Sequence, residues 1–417
     1  MGKIDLAVIG DTHHKQEAYL HGPFKKAYKK LTAEVFKRKV QGLVHTGDLG
    51  LFSNISTASQ SLDMRCLTRP IAKAGLFEFR IDGNHDIDGA NIGEPTVNSR
   101  LGDIVDNDTW KKMYYMNDYK LRKVEVNGVM LQVLPLSYPP RNAFAKDGVD
   151  GCDTLVALAS KFIQQKLAEG VAESDPNIPL LIIYHGTIVA NNLKLGNETN
   201  MICGYDVQIP IEMFPERENC AVVAGHIHGF QVLRERAPFV AYAGSFVHHT
   251  IDQEGKPCGA LFVSFNGQGW DGEFFPIEEI KLRRVVVDLK KEEYKNIAPE
   301  VAVMREIAAA QVSSDSKVKI ELLEEYPGQV ISETKVREAL LQNGVDVLSV
   351  SKKRENEVTM DVARENVVKE MGSTMHDHIL VFAENTPEVK ALIEQYGITK
   401  DDLRSAHDDI SRQVESV

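Results

Sequence analysis

Short apolar runs that stop at a glycine and a polar cluster recur through the first two thirds of the chain. Residues 3–9 (Lys-Ile-Asp-Leu-Ala-Val-Ile) end at Gly10, and residues 42–46 (Gly-Leu-Val-His-Thr) end at Gly47. Residues 76–81 (Leu-Phe-Glu-Phe-Arg-Ile) lie between Gly75 and Gly83. Runs this short and apolar predict strands buried on both faces, as in a parallel sheet. The pattern returns at 179–184, which ends at His185-Gly186, and at 220–224, which ends at Gly225. Residues 239–243 and 259–265 are further strands.

Between the runs lie segments with the period of helices. In residues 24–40, Phe24, Tyr28, Leu31, Val35 and Phe36 form the apolar set; Lys25, Lys26, Lys29, Lys30, Lys37, Arg38 and Lys39 fill much of the rest. That predicts an amphipathic helix with a basic solvent face. Residues 54–73 read as a second helix with Pro70 marking a break near its end. Residues 153–169 read as a third, with Leu155, Leu158, Phe162 and Leu167 on one side. Residues 90–118 are polar and read as an insertion with a short helix near Trp110-Lys111-Lys112-Met113. Residues 120–134 alternate about Asn127-Gly128, a two-residue hairpin signal that marks a change to antiparallel strands. A loop of about thirty residues before residue 220 implies a function or local order of its own. Strand and helix alternating, with the polar turns on one sheet edge, make the class α/β.

The pattern changes after residues 281–289 (Lys-Leu-Arg-Arg-Val-Val-Val-Asp-Leu). Residues 316–323 alternate as a strand, 332–343 read as a helix stopped by Gly344, and 346–351 form another strand. This βαβ unit predicts a small α+β module. The expected domains are therefore 1–284, 285–360 and 361–417, the last helical from Thr386 with Val389, Leu392, Ile393 and Tyr396 apolar.

At 417 residues, 43% hydrophobic and 26% charged, the chain is long enough for two or three globular domains. No apolar stretch reaches the roughly 20 residues of a membrane-crossing helix. Met1-Gly2-Lys3-Ile4-Asp5 leads into a strand without a signal-peptide layout, so the expected location is cytoplasmic, with no membrane partner. The five cysteines (Cys66, Cys152, Cys203, Cys220, Cys258) form no Cys-x-x-Cys pair, which argues against a disulfide framework or a thiolate zinc site. A net charge of −12 argues against gripping nucleic acid through bulk charge but allows a local basic groove. Arg283-Arg284 and Lys352-Lys353-Arg354 are candidate phosphate contacts.

The polar residues after the strands carry the chemistry. Asp11 and His13 follow the first strand, Asp48 the second, Asn84, His85 and Asp86 the third, His185 a fourth, and His226 and His228 a fifth. In an extended segment residues i and i+2 point the same way, so Asp11 and His13 can reach one ion. The set offers carboxylate, amide and imidazole but no sulfur, which suits manganese, iron or zinc. Seven of these residues suffice for two ions a few ångströms apart sharing one carboxylate, an arrangement that activates water and stabilises phosphoryl charge. His14 and His45 adjoin the motifs and read as packing or hydrogen-bonding neighbours. His248 and His249 read as solvated loop histidines.

Asp-x-His, Gly-Asp, Gly-Asn-His-Asp, a single strand-end His and Gly-His-x-His occur here in this order and resemble the calcineurin-like metallophosphoesterase superfamily over residues 1–280. Within it the chain is most similar to the SbcD-type nuclease subunit of DNA double-strand-break repair. The supporting residues are His45-Thr46-Gly47-Asp48-Leu49, Gly83-Asn84-His85-Asp86, Gly225-His226-Ile227-His228 and Tyr242-Ala243-Gly244-Ser245, followed by a separate C-terminal region. After Leu49 the chain reads Gly50-Leu51-Phe52-Ser53, where the SbcD-type pattern continues with Phe and then His or Asp.

The resemblance implies a two-sheet metallophosphoesterase sandwich flanked by helices, with a smaller C-terminal α+β cap domain that helps hold duplex DNA. It implies that Asp11, His13 and His228 bind one metal and Asn84, His185 and His226 a second, with Asp48 bridging. His85 would stabilise the transition state or protonate the leaving oxygen, and Asp86 would orient His85 or hold the turn. The implied reaction is exonuclease and endonuclease cleavage of DNA through in-line attack by a hydroxide held between two ions, manganese being expected. Implied partners are DNA, an SbcC-type coiled-coil ATPase bound beyond the cap, and a second copy of the chain in a homodimer. A metallophosphoesterase acting on a nucleotide, phosphoprotein or other small phosphate ester would use the same residues, and the acidic charge slightly favours it.

Overall fold

The computed structural model describes residues 2–14, 18–50, 67–87, 96, 111–144, 152–194, 206–248, 251–277, 281–294, 297–312, 316–323 and 332–353. The chain divides into two compact units, Met1–Leu282 and Arg283–Val417. Among the described residues no helix is long and apolar enough to cross a membrane.

In chain order the larger unit contains β1 (Ile4–Ile9), α1 (Ala18–Arg38), β2 (Gly42–His45), β3 (Phe77–Arg80), β4 (Met113–Tyr115), β5 (Arg122–Val126) and β6 (Val129–Leu136). These are followed by α2 (Cys152–Glu173), β7 (Leu180–His185), β8 (Thr187–Val189), β9 (Gln208–Pro210) and β10 (Cys220–Gly225). Then come β11 (Gln231–Arg234), β12 (Phe239–Tyr242), β13 (Gly259–Phe265) and β14 (Trp270–Pro276). One six-stranded sheet runs β14-β13-β1-β2-β3-β4 and a second runs β11-β12-β10-β7-β6-β5, while β8 and β9 make a separate short ribbon.

Alternation along the strands builds three layers of core. Ile4, Leu6 and Val8 of β1 meet Leu181 and Ile183 of β7 and Val223 of β10 between the sheets. On the other side of the first sheet, Ala7, Ile9 and Leu43 pack against Phe24, Tyr28, Leu31 and Val35 of α1. On the outer side of the second, Leu180, Ile182 and Tyr184 pack against Ala159, Ile163 and Leu167 of α2. Strands with both faces covered read as continuous apolar runs, which is why β1, β2, β7 and β10 were visible in sequence. The unit is an α/β two-sheet sandwich flanked by helices.

Several local expectations are corrected. Helix α1 begins at Ala18, not near residue 24, and carries Pro23 within it; Phe36, placed on its apolar face, is 43% exposed. The buried face of α2 is Val156, Ala159, Ile163 and Leu167, whereas Leu158 is exposed. Close approach decides this: a Cβ at Gly170 would lie 2.4 Å from Leu134 Cδ1, so β6 takes the side of the helix with the smaller residues. Met113, expected in a short helix, instead begins β4, which adds in parallel to the edge of β3. Residues 67–73 are helical straight through Pro70; the start of that expected helix, residues 54–66, lies outside the described residues.

Asn127 and Gly128 both take positive φ (52° and 73°), as a two-residue turn between β5 and β6 requires. The switch to antiparallel pairing is local, since β6-β7, β7-β10 and β10-β12 are all parallel. The long loop before residue 220 contains β8 and β9.

The smaller unit contains β15 (Lys281–Asp288), α3 (Pro299–Ala309), β16 (Ser316–Leu323), α4 (Glu333–Gln342) and β17 (Asp346–Lys353), with sheet order β15-β16-β17. Ser332 Oγ caps α4 by accepting from Lys335 N at 3.3 Å, and Gly344 with φ 74° ends it. Strands β16 and β17 pair in parallel, and Val287, Ile320, Leu322, Val336 and Leu340 form the core. Arg284 Nε lies 3.8 Å from Glu321 Oε1, so this candidate phosphate contact faces a carboxylate. Arg354 and residues 361–417, with their expected helix, lie outside the described residues.

Candidate metal centre

Five strands of the two sheets end around one point. Beyond β1 and β2, the turns are zipped together by Asp11 N to Gly47 O (3.2 Å), His13 N to Asp48 O (3.0 Å) and His14 N to Leu49 O (2.9 Å). These bonds hold Asp11, His13 and Asp48 at φ 46°, 40° and 53°, and His226 stands at 93° beyond β10. Such conformations cost non-glycine residues about 1–3 kcal/mol each and persist only where the surroundings impose them. The turns also touch: a Cβ at Gly83 would lie 2.1 Å from Asp48 Oδ1, and one at Gly225 would lie 2.5 Å from Thr46 Oγ1.

The expected site residues converge. Asp48 Oδ2 lies 3.6 Å from His13 Nε2 and 3.5 Å from His185 Nε2, between two groups of donors. In one group, His13 Nε2 is 3.3 Å from His228 Nε2, and His228 Nε2 is 3.8 Å from Asp11 Oδ1. In the other, Asn84 Oδ1 is 3.0 Å from both His185 Nε2 and His226 Nδ1. His85 donates its backbone N–H to Asp48 Oδ1 (2.8 Å), and its half-buried ring lies edge-on to that of His13, 4.9 Å between centroids. Asp11 accepts His226 N on both oxygens, at 2.9 and 3.0 Å, so each sheet's turn holds the other's.

The electrostatics suit cation binding. Burial drives the His13 imidazole down to about 4 and that of His228 well below its usual range, so both present neutral nitrogens. Burial opposes charge on Asp48, but His185 and His13 outweigh it and hold the carboxyl well below its usual range. Burial likewise opposes charge on His185, yet the Asp48 carboxylate lifts the imidazole to about 9. His185 Nδ1 donates to Thr46 O at 2.7 Å, which aims Nε2 at Asp48 and Asn84. Without cations, a proton on His185 balances the buried Asp48 charge.

Donor type and spacing fit divalent ions. Carboxylate, imidazole and amide oxygen are hard or borderline ligands. Atoms bound side by side on one ion at about 2.1 Å sit roughly 3 Å apart, close to the separations around Asn84 and between His13 and His228. Asp11 with His13 and His228, and Asp11 with Asp48 and His185, each bring ligand atoms within 4.8 Å of one another.

Of the two roles expected for Asp86, the geometry supplies the turn-holding one. Its carboxylate accepts from Leu49 N (3.0 Å), Gly50 N (3.2 Å) and Gly83 N (2.9 Å) and is 1% exposed. Burial, then Asp48 and Asp82, push its carboxyl up to about 8, against the N–H groups of Gly83 and Gly50. His45 turns toward Glu78, which binds Arg80, in a buried cluster on the α1 side of the sheet. His14 stacks on Phe24 at 4.4 Å. His248 is buried, with Nε2 bonded to Lys256 O at 2.7 Å, which corrects its reading as a solvated loop histidine; His249 lies outside the described residues.

Two residues at the site had no motif to reveal them. Asp206 Oδ2 lies 2.5 Å from His226 Nε2, and Tyr138 Oη donates to Asp206 Oδ1 at 3.1 Å. Burial opposes charge on Asp206, but His226 outweighs it and holds the carboxyl well below its usual range. The apolar alternation of Val207 and Ile209 was the only local hint that this part of the loop is ordered.

No family model matches the chain, and no curated protein matches it. Solved structures that resemble it include a Streptococcus pneumoniae protein described as a predicted phosphoesterase (12% identity, TM-score 0.28, 66% of this chain and 91% of that one). A dimetal phosphatase of Danio rerio aligns at 10% identity and TM-score 0.35 over 62% of this chain and 92% of its own. A purple acid phosphatase of yellow lupin, Lupinus luteus, aligns at 12% and 0.36 over 66% and 54%.

Proposed function

We propose that the chain is a two-metal phosphodiesterase of the calcineurin-like kind that cleaves DNA, as exonuclease and endonuclease, in the manner of SbcD-type subunits. The observation that carries the hydrolase reading is the convergence of Asp11, His13, Asp48, Asn84, His185, His226 and His228 from five strand ends, with Asp48 Oδ2 between two donor groups. The DNA reading is supported by the ordered motifs and by a second α+β unit after them.

Two divalent cations, manganese on the sequence resemblance, supply Lewis acidity toward water and the phosphoryl oxygens. Asp11, His13 and His228 would hold one ion and Asn84, His185 and His226 the other, with Asp48 placed to serve both. Thr46 O keeps the proton of His185 on Nδ1, so that Nε2 is free to ligate once the second proton has left. His85 is fixed through its backbone to Asp48 and delivers a proton to the departing sugar oxygen, a role worth about 10²–10⁴ in rate. On the same sequence resemblance the nuclease works with an SbcC-type ATPase and as a homodimer.

The test is cleavage of linear duplex DNA with manganese, with and without a chelator. Metal-dependent cleavage is expected. Hydrolysis of a phenyl phosphodiester with duplex and single-stranded DNA left intact would instead favour a small phosphate ester as substrate, the reading that the net charge of −12 supports.

A further inference from the structure

We propose that Asp206 is a positioning residue that fixes the proton of His226 and so sets the strength of the second cation site; this rests on the two-metal reading above. The two ring nitrogens of His226 face different partners. Nδ1 lies 3.0 Å from Asn84 Oδ1, the oxygen that His185 Nε2 also approaches at 3.0 Å, and Nε2 turns away to Asp206 Oδ2 at 2.5 Å. An ionised carboxylate only accepts hydrogen bonds, so the proton belongs on Nε2 and the Nδ1 lone pair is left for the ion.

The carboxylate is itself immobilised. Thr187 Oγ1 donates to Oδ2 at 2.7 Å, while Tyr138 Oη (3.1 Å) and Val207 N (2.8 Å) donate to Oδ1. With His226 that makes four donors for two oxygens on a residue 8% exposed. Thr187 opens β8 and Asp206 precedes β9, and Thr187 N also bonds Val207 O at 3.0 Å. The β8-β9 ribbon therefore holds the group that aims His226. The two imidazoles of this site differ in backing: His185 rests on a neutral carbonyl, His226 on a negative charge that increases its basicity toward a cation.

The experiment is manganese titration of the full chain by calorimetry, with electron paramagnetic resonance to detect coupled ion pairs. Asp206→Ala and Asp206→Asn are compared with wild type, and Val189→Ala, at an exposed position of β8, is the control. Wild type is expected to bind two ions. Asp206→Ala should keep one at wild-type affinity and bind the second about 10- to 100-fold more weakly, losing the coupled signal at ion levels that fill wild type. Asp206→Asn, which preserves shape without charge, should fall between, and it decides the matter if circular dichroism shows the alanine variant unfolded. Val189→Ala should bind both ions as wild type does, and a second site weakened as far as in Asp206→Ala would overturn the assignment to Asp206. Unchanged second-site affinity in the asparagine variant, or in a folded alanine variant, overturns the role of Asp206 while leaving the two-metal reading intact. A wild-type protein that binds fewer than two ions overturns that reading and this inference with it.

Discussion

Gly83→Ala is expected to disable the centre through one methyl group. A Cβ at Gly83 would stand 2.1 Å from Asp48 Oδ1, 2.5 Å from Asp48 N and 2.6 Å from His185 Cε1. Ordinary contact begins at 3.4 Å, so the methyl and the Asp48 carboxylate must separate by about 1.3 Å. Gly83 is not among the positive-φ glycines, so the effect is steric and not conformational. Relaxation is blocked, because Gly83 N is tied to Asp86 Oδ2 (2.9 Å) and Asp48 Oδ1 already accepts His85 N (2.8 Å). Overpacking of this kind costs about 1–3 kcal/mol of stability. A displacement near 1 Å at a catalytic carboxylate costs roughly 100-fold in rate. The assays are manganese titration and hydrolysis of a phenyl phosphodiester, with thermal unfolding as a check. Gly229→Ala, whose Cβ would meet nothing within 4 Å beside His228, is the control and should behave as wild type. A Gly83→Ala protein that binds two ions and turns over at the wild-type rate would refute the packing argument.

Other outcomes follow from the same geometry. His85→Ala should lower DNA cleavage about 10²–10⁴-fold with manganese binding unchanged, and loss of metal from that variant would contradict its assigned role. Asp86→Ala strands the N–H groups of Leu49, Gly50 and Gly83 in a buried turn; it should cost about 3 kcal/mol, a fall in Tm of roughly 6–12 °C by calorimetry. In the metal-free protein His185 is raised to about 9, so its contribution to stability is full below about 6.5 and fades as pH rises to 9. Loading cations at pH 7.5 must therefore expel about one proton, measurable by calorimetry in buffers of different ionisation heat, and close to none at pH 10.

Sequence carried the strand-end residues well because their chemistry is local: each sits at a glycine-bounded stop of a run buried on both faces. The hairpin at Asn127-Gly128 was legible for the same reason, since two residues alone dictate its backbone. The face of α2 was not, because Leu155-Leu158-Phe162 and Val156-Ala159-Ile163 both satisfy a helical period and only the approach of Gly170 to Leu134 selects between them. Strand β4, only three residues long after Lys111-Lys112, has no periodicity to read. Asp206 and Tyr138 reach the site through contacts spanning 20 and 68 residues, which leave no mark on local spacing. The left-handed backbone of Asp11, His13 and Asp48 is likewise imposed by pairing across turns that lie 35–36 residues apart.

Neither sheet of the larger unit carries the whole donor set. The sheet built around β1, β2 and β3 brings the acids, the amide and His13, whereas β7 and β10 of the other sheet bring His185, His226 and His228. A growing polypeptide that has emerged only as far as α2 has all three oxygen donors of the set, Asp11, Asp48 and Asn84, but only His13 of its four imidazoles. The full donor set is therefore assembled only once β10 has been made and has paired beside β7.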